Sequence, residues 1–488
     1  MTANIWSKNR RVSMSREVRQ SPASDFDPAG IRSVFQQDYD RLLFSTPVRR
    51  LADKTQVWPM DENDGVRTRL THSHEVANLA RSIGTRSFLD EKVKIAFPDI
   101  DLAGTIQPIL SSVGLAHDIG NPPFGHQGEK AISDWFKERN KWIFTHYSED
   151  GDELDESDKV QNHLKEEFTS FDGNPQGLRL ISTLQTHQYK MGLDLTAATL
   201  AATLKYAVHV SNRNSSKENK NAAAEKGGYF ESEREIVDWI RLETGLAEGQ
   251  RHPIAWIGEA CDDIAYSVLD VDDLLKKGIV SPDEVMSILT NNKDINEYDC
   301  IEKILNKFDE INQSDRRAEI KSDIKIQYIR AYNIDRLIRD ASETFAQNVQ
   351  SIKGMKHKRG LMDDNPLCEA LKKIARSYGF SHRSVLRTEA VGAATIDGLM
   401  SAIWEAISHR EKKEDLRSRR KTAKASYVFS LVSPNYIEAA EDAASKDGAG
   451  SSLRYRELRL LTDMISGMTD TYATKLWQDI ASIPDVGS

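Results

Sequence analysis

Residues 114–129 read GLAHDIGNPPFGHQGE, and the order of residue types along this stretch organises the rest of the chain. An apolar lead-in over residues 109–115 (ILSSVGL) predicts a buried helix that delivers His117 and Asp118 at its C-terminal end. Neighbouring side chains on a helix diverge by about 100°, so two adjacent residues can share one metal only where the helix is ending. Gly120, Pro122 and Pro123 follow at once and supply that ending. Beyond the Pro/Gly turn, His126 and Glu129 stand three apart, on one face of the first turn of a following helix. A carboxylate at that spacing can orient the imidazole and keep it protonated.

An isolated His-Asp pair carries almost no information, and two further segments give it weight. Residues 67–76 read RTRLTHSHEV and residues 259–270 read EACDDIAYSVLD. An upstream helical histidine and a downstream helical aspartate would complete a set of two imidazoles and two carboxylates, good ligands for borderline divalent metals. His72 and His74 are two apart and so face different ways on a helix. Of the adjacent Asp262 and Asp263, Asp262 shares a face with Tyr266 and Asp270 at i, i+4 and i+8, which favours it as ligand.

The surrounding chain reads as helix. Val76, Leu79, Ala80 and Ile83 form one apolar face, as do Leu193, Ala197, Leu200 and Leu204, and Ala331, Ile334, Leu337 and Ile338. The best strand candidate is residues 427–432 (YVFSLV), which also suits a helix. Residues 148–158, with seven acids and no base, residues 211–228 and the basic residues 411–424 read as surface segments. The length of 488 residues suggests about three domains at roughly 150 residues each. Yet the candidate site residues run from Gln56 to Arg387, which favours one continuous catalytic unit.

Composition narrows the function. Three widely spaced cysteines without CxxC pairing exclude a disulfide framework and a cysteine zinc site, and fit a reducing cytoplasm. Residues 1–20 are polar and basic, so no secretory leader is expected, and no run approaches ~18 consecutive apolar residues. With 66 Lys and Arg against 75 Asp and Glu, the net charge of −9 excludes a strongly basic nucleic-acid-coating protein. An anionic substrate would therefore need a local positive pocket. No GxxxxGK[ST] loop is present, which excludes P-loop phosphate chemistry.

The H…HD…D order resembles the HD-domain metal-dependent phosphohydrolases, and more narrowly the deoxyguanosine triphosphate triphosphohydrolase (dGTPase) branch. The segments carrying the resemblance fall in the family's order over nearly the whole chain. They are TPVRRLADKTQVWP (46–59), RTRLTHS (67–73), HDIGNPPFGHQGE (117–129), FDGNPQGLR (171–179), LKY (204–206), EACDDIAY (259–266), FSHRSVLRTEAVGAATIDG (380–398) and SGMTDTYA (466–473). The resemblance implies an all-α fold in which residues 65–275 form the HD core. Residues 276–488 would then be a helical C-terminal region completing the nucleotide site and the oligomer contacts. It implies His72, His117, Asp118 and Asp262 as ligands of Mn²⁺ or Mg²⁺, with other first-row divalent metals possible, and His126 and Glu129 as catalytic residues. Arg69, Lys205 and Arg387 would meet the phosphates, and Gln56, Val57, Tyr266 and Asp270 the deoxyribose pocket. The implied reaction is water attack on the α-phosphorus of a deoxynucleoside triphosphate, dGTP above all, releasing deoxynucleoside and inorganic triphosphate. The resemblance further implies a cytoplasmic homo-oligomer, often a hexamer or tetramer, leaves single-stranded DNA binding open, and gives no role to a membrane. Competing readings are another HD phosphohydrolase (a nucleotidase or phosphodiesterase) or a regulator that binds single-stranded nucleic acid; KTQV, LKY and SGMTD disfavour the former, and the intact ligand set the latter.

Overall fold

The computed structural model describes residues 4–12, 32–56, 67–214, 221–379, 383–446 and 448–484. Val57, expected to line the sugar pocket, lies outside them. Among the described residues are twenty α-helices and no β-strand, only four isolated bridges, so the expected all-α class holds. The strand candidate at 427–432 belongs mostly to the helix Ala423–Ser430, which Thr422 caps. Its buried residues Ala425 and Val428 stand three apart, a helical spacing, while Tyr427 is exposed.

Two large apolar cores build the molecule. The first gathers Val76, Ile83, Ile109, Val113, Ile264, Val268, Phe345 and Leu371. The second gathers Ala116, Ile119, Phe124, Trp135, Leu178, Ile181, Ile403, Leu461 and Leu476. Each fully buried side chain of this size stabilises the fold by about 1.5–3 kcal/mol. The helices of residues 276–378 join the first core and those of residues 396–480 the second, so the C-terminal region packs on both sides of the middle of the chain.

The helix Gln107–Ala116 spans the seam between the cores. Pro108 starts it, and every residue from Pro108 to Ala116 is buried, with the Ser111 and Ser112 hydroxyls donating back to the Gln107 and Pro108 carbonyl oxygens. Gly114 is required by close approach, since a Cβ there would lie 2.3 Å from the Ala77 Cα of the neighbouring helix. That neighbour, Arg69–Leu89, begins with a capping box between Thr68 and Thr71. The third helix at the seam, Pro253–Lys276, is apolar nearly all round and is started by Pro253, with His252 as its N-cap. Two helix ends and one mid-helix turn thus converge where the cores meet.

The surface segments differ among themselves. Residues 148–158 form turns, with Lys159 drawing in Glu153 and Glu156. Residues 411–419 form turns between the bridged, buried Arg410 and Arg420, and Ala423 and Lys424 open the next helix. The surface reading fails for residues 221–228. Ala223 and Ala224 are buried, and a Cβ on Gly228 would meet the Tyr206 carbonyl oxygen at 1.7 Å. Small residues here serve close packing. One helix, Arg383–Ser408, holds a stretch long and apolar enough to cross a membrane by composition, and 56% of that window is buried inside the protein.

Candidate active site

A cavity of about 380 Å³ opens at the seam, within the size range of small-ligand sites. His117 ends the HD helix, and its Nδ1 lies 2.7 Å from the Gly114 carbonyl oxygen, to which it donates. That bond leaves Nε2 as the free lone pair, aimed away from the helix. Nε2 of His117 and Nε2 of His72 are both buried without a hydrogen-bond partner, and the two rings sit 5.2 Å apart. Burial, helped by His117, lowers His72 to about 4, so its imidazole is neutral at physiological pH. His72, His117 and Asp262 bring one donor atom each within 4.8 Å of one another. Two orphaned imidazole nitrogens beside a carboxylate fit a divalent metal ion.

Asp118 stands beside this group, its Oδ2 3.5 Å from His117 Nε2. It is not part of the tight set of three: Arg69 donates to its Oδ2 at 2.6 Å and Asn121 to its Oδ1 at 2.7 Å. Burial would raise the Asp118 carboxyl, but Arg69 and the two histidines outweigh it and hold it far below the ordinary range. Asp262 accepts from Lys205 Nζ at 2.8 Å; burial opposes ionisation there too, and Lys205 and His117 keep the group at about 2. The adjacent Asp263 turns to Lys372 instead, at 2.8 Å, and His74 is exposed.

His126 faces the cavity with its Nδ1 2.7 Å from Glu129 Oε2. The Glu129 hydrogen bond raises the imidazole above its ordinary value, and the ring itself stays largely exposed to the opening of the cavity. Glu129 is fixed in turn, since its Oε1 accepts from the Gly173 N–H at 2.7 Å. Gly173 opens the helix Gly173–Ser182, and this is the local logic of FDGNPQGLR. Asp172 caps the helix through Asn174, and Arg179 anchors it to Asp463 and Glu233 in the core. The approach to the HD turn is so close that a Cβ on Gly120 would lie 2.0 Å from the Gly173 carbonyl oxygen.

The remaining expected residues divide. Gln56, Arg69, Lys205 and Tyr266 line the cavity, and Gln56 Oε1 is buried with no partner. Asp270 is buried one turn beyond Tyr266 but is not on the wall; burial, with Asp273 nearby, pushes its carboxyl well up, and Oδ2 has no partner. Arg387 is exposed and also absent from the wall. Gly392, on the same helix, packs against the Phe124 ring, and five residues of helix turn Arg387 about 140° away from that face.

Sequence reasoning missed Lys226, Lys372, Arg376 and Asn174, all on the wall. Lys226 is held 2.8 Å from Asp172, and Arg376 is a hydrogen-bond partner of Tyr266. The closing Gly-Gly pair after Lys226 is the signal that could have found it, since paired glycines mark close backbone approach. Among the lining residues five Lys and Arg face five Asp and Glu, so the wall is balanced. A polyanion would meet net positive charge only through a divalent ion and a protonated His126.

No family model matches the chain. Curated relatives do. A deoxyguanosinetriphosphate triphosphohydrolase-like protein of Listeria innocua is 33% identical over 481 positions, covering 97% of this chain and 98% of the relative. The protein of the same description from Listeria monocytogenes is also 33% identical with the same coverage. A deoxyguanosinetriphosphate triphosphohydrolase of Salmonella schwarzengrund is 32% identical over 484 positions, covering 91% of this chain and 94% of the relative. Identity sustained over nearly the full length of both partners, with the HD motifs in register with the cavity, decides the relationship: the chain belongs to the deoxyguanosinetriphosphate triphosphohydrolase family.

Proposed function

We propose that this protein hydrolyses deoxynucleoside triphosphates, dGTP foremost, to deoxynucleoside and inorganic triphosphate, with Mn²⁺ or Mg²⁺ held by His72, His117, Asp118 and Asp262. The observation that carries the proposal is the pair of unpartnered Nε2 atoms beside Asp262, within the same site as the His126–Glu129 pair. A divalent ion at that place supplies Lewis-acid polarisation of a phosphoryl oxygen and eases ionisation of water.

The protein's own groups do the rest. Glu129, clamped by the Gly173 N–H, favours the protonated form of His126, the state a general acid needs. His126 then offers its Nε2 proton to the 5′ oxygen that leaves as the deoxynucleoside. A triphosphate brings about four negative charges, and Arg69, Lys205 and Lys226 line the cavity as its cationic partners. Tyr266, braced by Arg376, packs under the sugar, and Gln56 offers an unpartnered oxygen to the 3′-hydroxyl, with Asp270 one turn further along the helix. A ribonucleotide's 2′-hydroxyl would meet the Tyr266 ring unpaired, which favours deoxyribose.

The test is to incubate the protein with each dNTP and Mn²⁺ or Mg²⁺ and to identify products. Deoxynucleoside with triphosphate is expected; monophosphate with pyrophosphate, or no turnover of any dNTP, sinks the proposal. The resemblance carries self-association into the same proposal, and sedimentation velocity checks it: a species of monomer mass alone would remove that part.

A further inference from the structure

Behind the catalytic turn lies a buried pair that the chemistry above does not use. Lys54 is 3% exposed and Asp470 2% exposed, and neither is on the cavity wall. Lys54 Nζ donates to the Asn121 carbonyl oxygen at 2.6 Å and to the Ser466 carbonyl oxygen at 2.8 Å. Its own carbonyl oxygen accepts from the Arg69 N–H at 3.0 Å, where the His72 helix starts. Asp470 Oδ1 accepts from the Phe124 N–H at 2.9 Å, and Oδ2 accepts from the Thr55 N–H at 3.0 Å and from the Thr55 hydroxyl. Phe124 has φ +63°, a left-handed conformation costly for a bulky residue, and it is the N-cap of the helix that begins Gly125-His126.

These contacts join three segments far apart in sequence. Residues 54–56 end at Gln56, residues 121–124 sit between Asp118 and His126, and residues 466–470 connect the helices Leu453–Ser466 and Asp470–Ser482. A lysine at a helix C-terminus is matched to the free carbonyls there, here that of Ser466. The second carbonyl it holds belongs to the catalytic turn. The carboxylate of Asp470 supplies the acceptor for the N–H of Phe124, the residue in the left-handed conformation.

We propose that Lys54 and Asp470 are positioning residues: together they fix the 121–124 turn, and so set the placement of His126 relative to Asp118 and of Gln56 relative to both. The inference rests on the triphosphohydrolase reading only for its kinetic consequence; the geometric claim stands apart from it. A catalytic group displaced by about 1 Å can cost ~100-fold in rate, so loss of the clamp should appear more strongly in kcat than in KM, where Gln56 alone would register it.

The experiment compares full-length Lys54→Met, Asp470→Asn and Asp470→Ala with Leu476→Ala. Leu476 lies on the helix of Asp470 and faces the second core, and it serves as a control for destabilisation alone. We expect kcat for dGTP to fall between about ten-fold and ~100-fold in Lys54→Met and Asp470→Ala, less in Asp470→Asn, which keeps one acceptor oxygen. KM should change by less than about three-fold on the same argument. Amide hydrogen exchange over residues 119–126, measured without nucleotide, should speed at least about ten-fold in Asp470→Ala and not in Leu476→Ala. Wild-type kcat in these variants, or an equal kcat loss in Leu476→Ala at matched Tm, overturns the proposal, as does unchanged exchange. If Lys54→Met fails to fold, the two Asp470 variants decide. If the wild-type protein turns over no dNTP, the functional reading falls, and the exchange measurement alone decides the clamp.

Discussion

At the scale of single residues, the account turns on which neighbour of an ambiguous pair faces the cavity. Asp262 meets Lys205 and the two imidazoles, whereas Asp263 meets Lys372. Asp262→Ala should therefore abolish metal binding and turnover, while Asp263→Ala largely spares both; equal losses, by calorimetric metal titration and by rate, would undo the assignment. His126 gives a pH prediction. Its hydrogen bond to Glu129 raises it above 6.5, so the protonated form persists to higher pH than for a free imidazole. The alkaline limb of kcat/KM should accordingly lie above ~6.5, and Glu129→Gln should move it toward acid. The sign for stability agrees: with the folded value raised, the pair's contribution is full below the unfolded value and is lost as pH rises through the folded one. His126→Ala should lower kcat by roughly 10²–10⁴-fold. The placement of such residues was legible because it is local: a His and Asp at a helix end, a His and Glu three apart. Arg387 was not, because its phase on a long helix depends on where Gly392 packs.

At the scale of elements, the Gly173–Ser182 helix and the 221–228 segment do the work that the sequence hid. FDGNPQGLR was readable as a motif, but its purpose depends on a contact across 44 residues, from Glu129 to the Gly173 N–H. The 221–228 stretch is polar and small, a composition typical of a solvated loop, yet it carries Lys226 to the wall between buried alanines and a Gly pair. Charge-assisted hydrogen bonds are worth about 1.5–3 kcal/mol. Lys226→Met should thus cut kcat/KM for dGTP by about ten- to a hundred-fold with little change in Tm; steady-state kinetics with the variant at native fold decides it. Gly120→Ala would force a Cβ against the Gly173 carbonyl oxygen and should destabilise by about 1–3 kcal/mol in denaturant melts.

At the scale of the whole molecule, the helical class was legible from 3.6-residue periodicity, whereas the division into two cores was not, since each core draws on segments hundreds of residues apart. The HD helix belongs to both, with Val113 in one and Ala116 in the other, so its His117 end lies where relative movement of the cores would be felt. Mn²⁺ should raise the Tm of the whole chain by linkage, by about 2.7 kcal/mol of stability at a hundred-fold excess over Kd. The shift should vanish in His72→Ala, and a shift retained there would move the metal elsewhere. The central claim is the bond that breaks. Hydrolysis of dGTP in ¹⁸O-water, followed by ³¹P NMR and mass analysis of the products, reads it directly. The account predicts ¹⁸O in one terminal phosphoryl of the triphosphate and unlabelled deoxyguanosine. Label in the 5′-hydroxyl of deoxyguanosine, or release of dGMP with pyrophosphate, would contradict it.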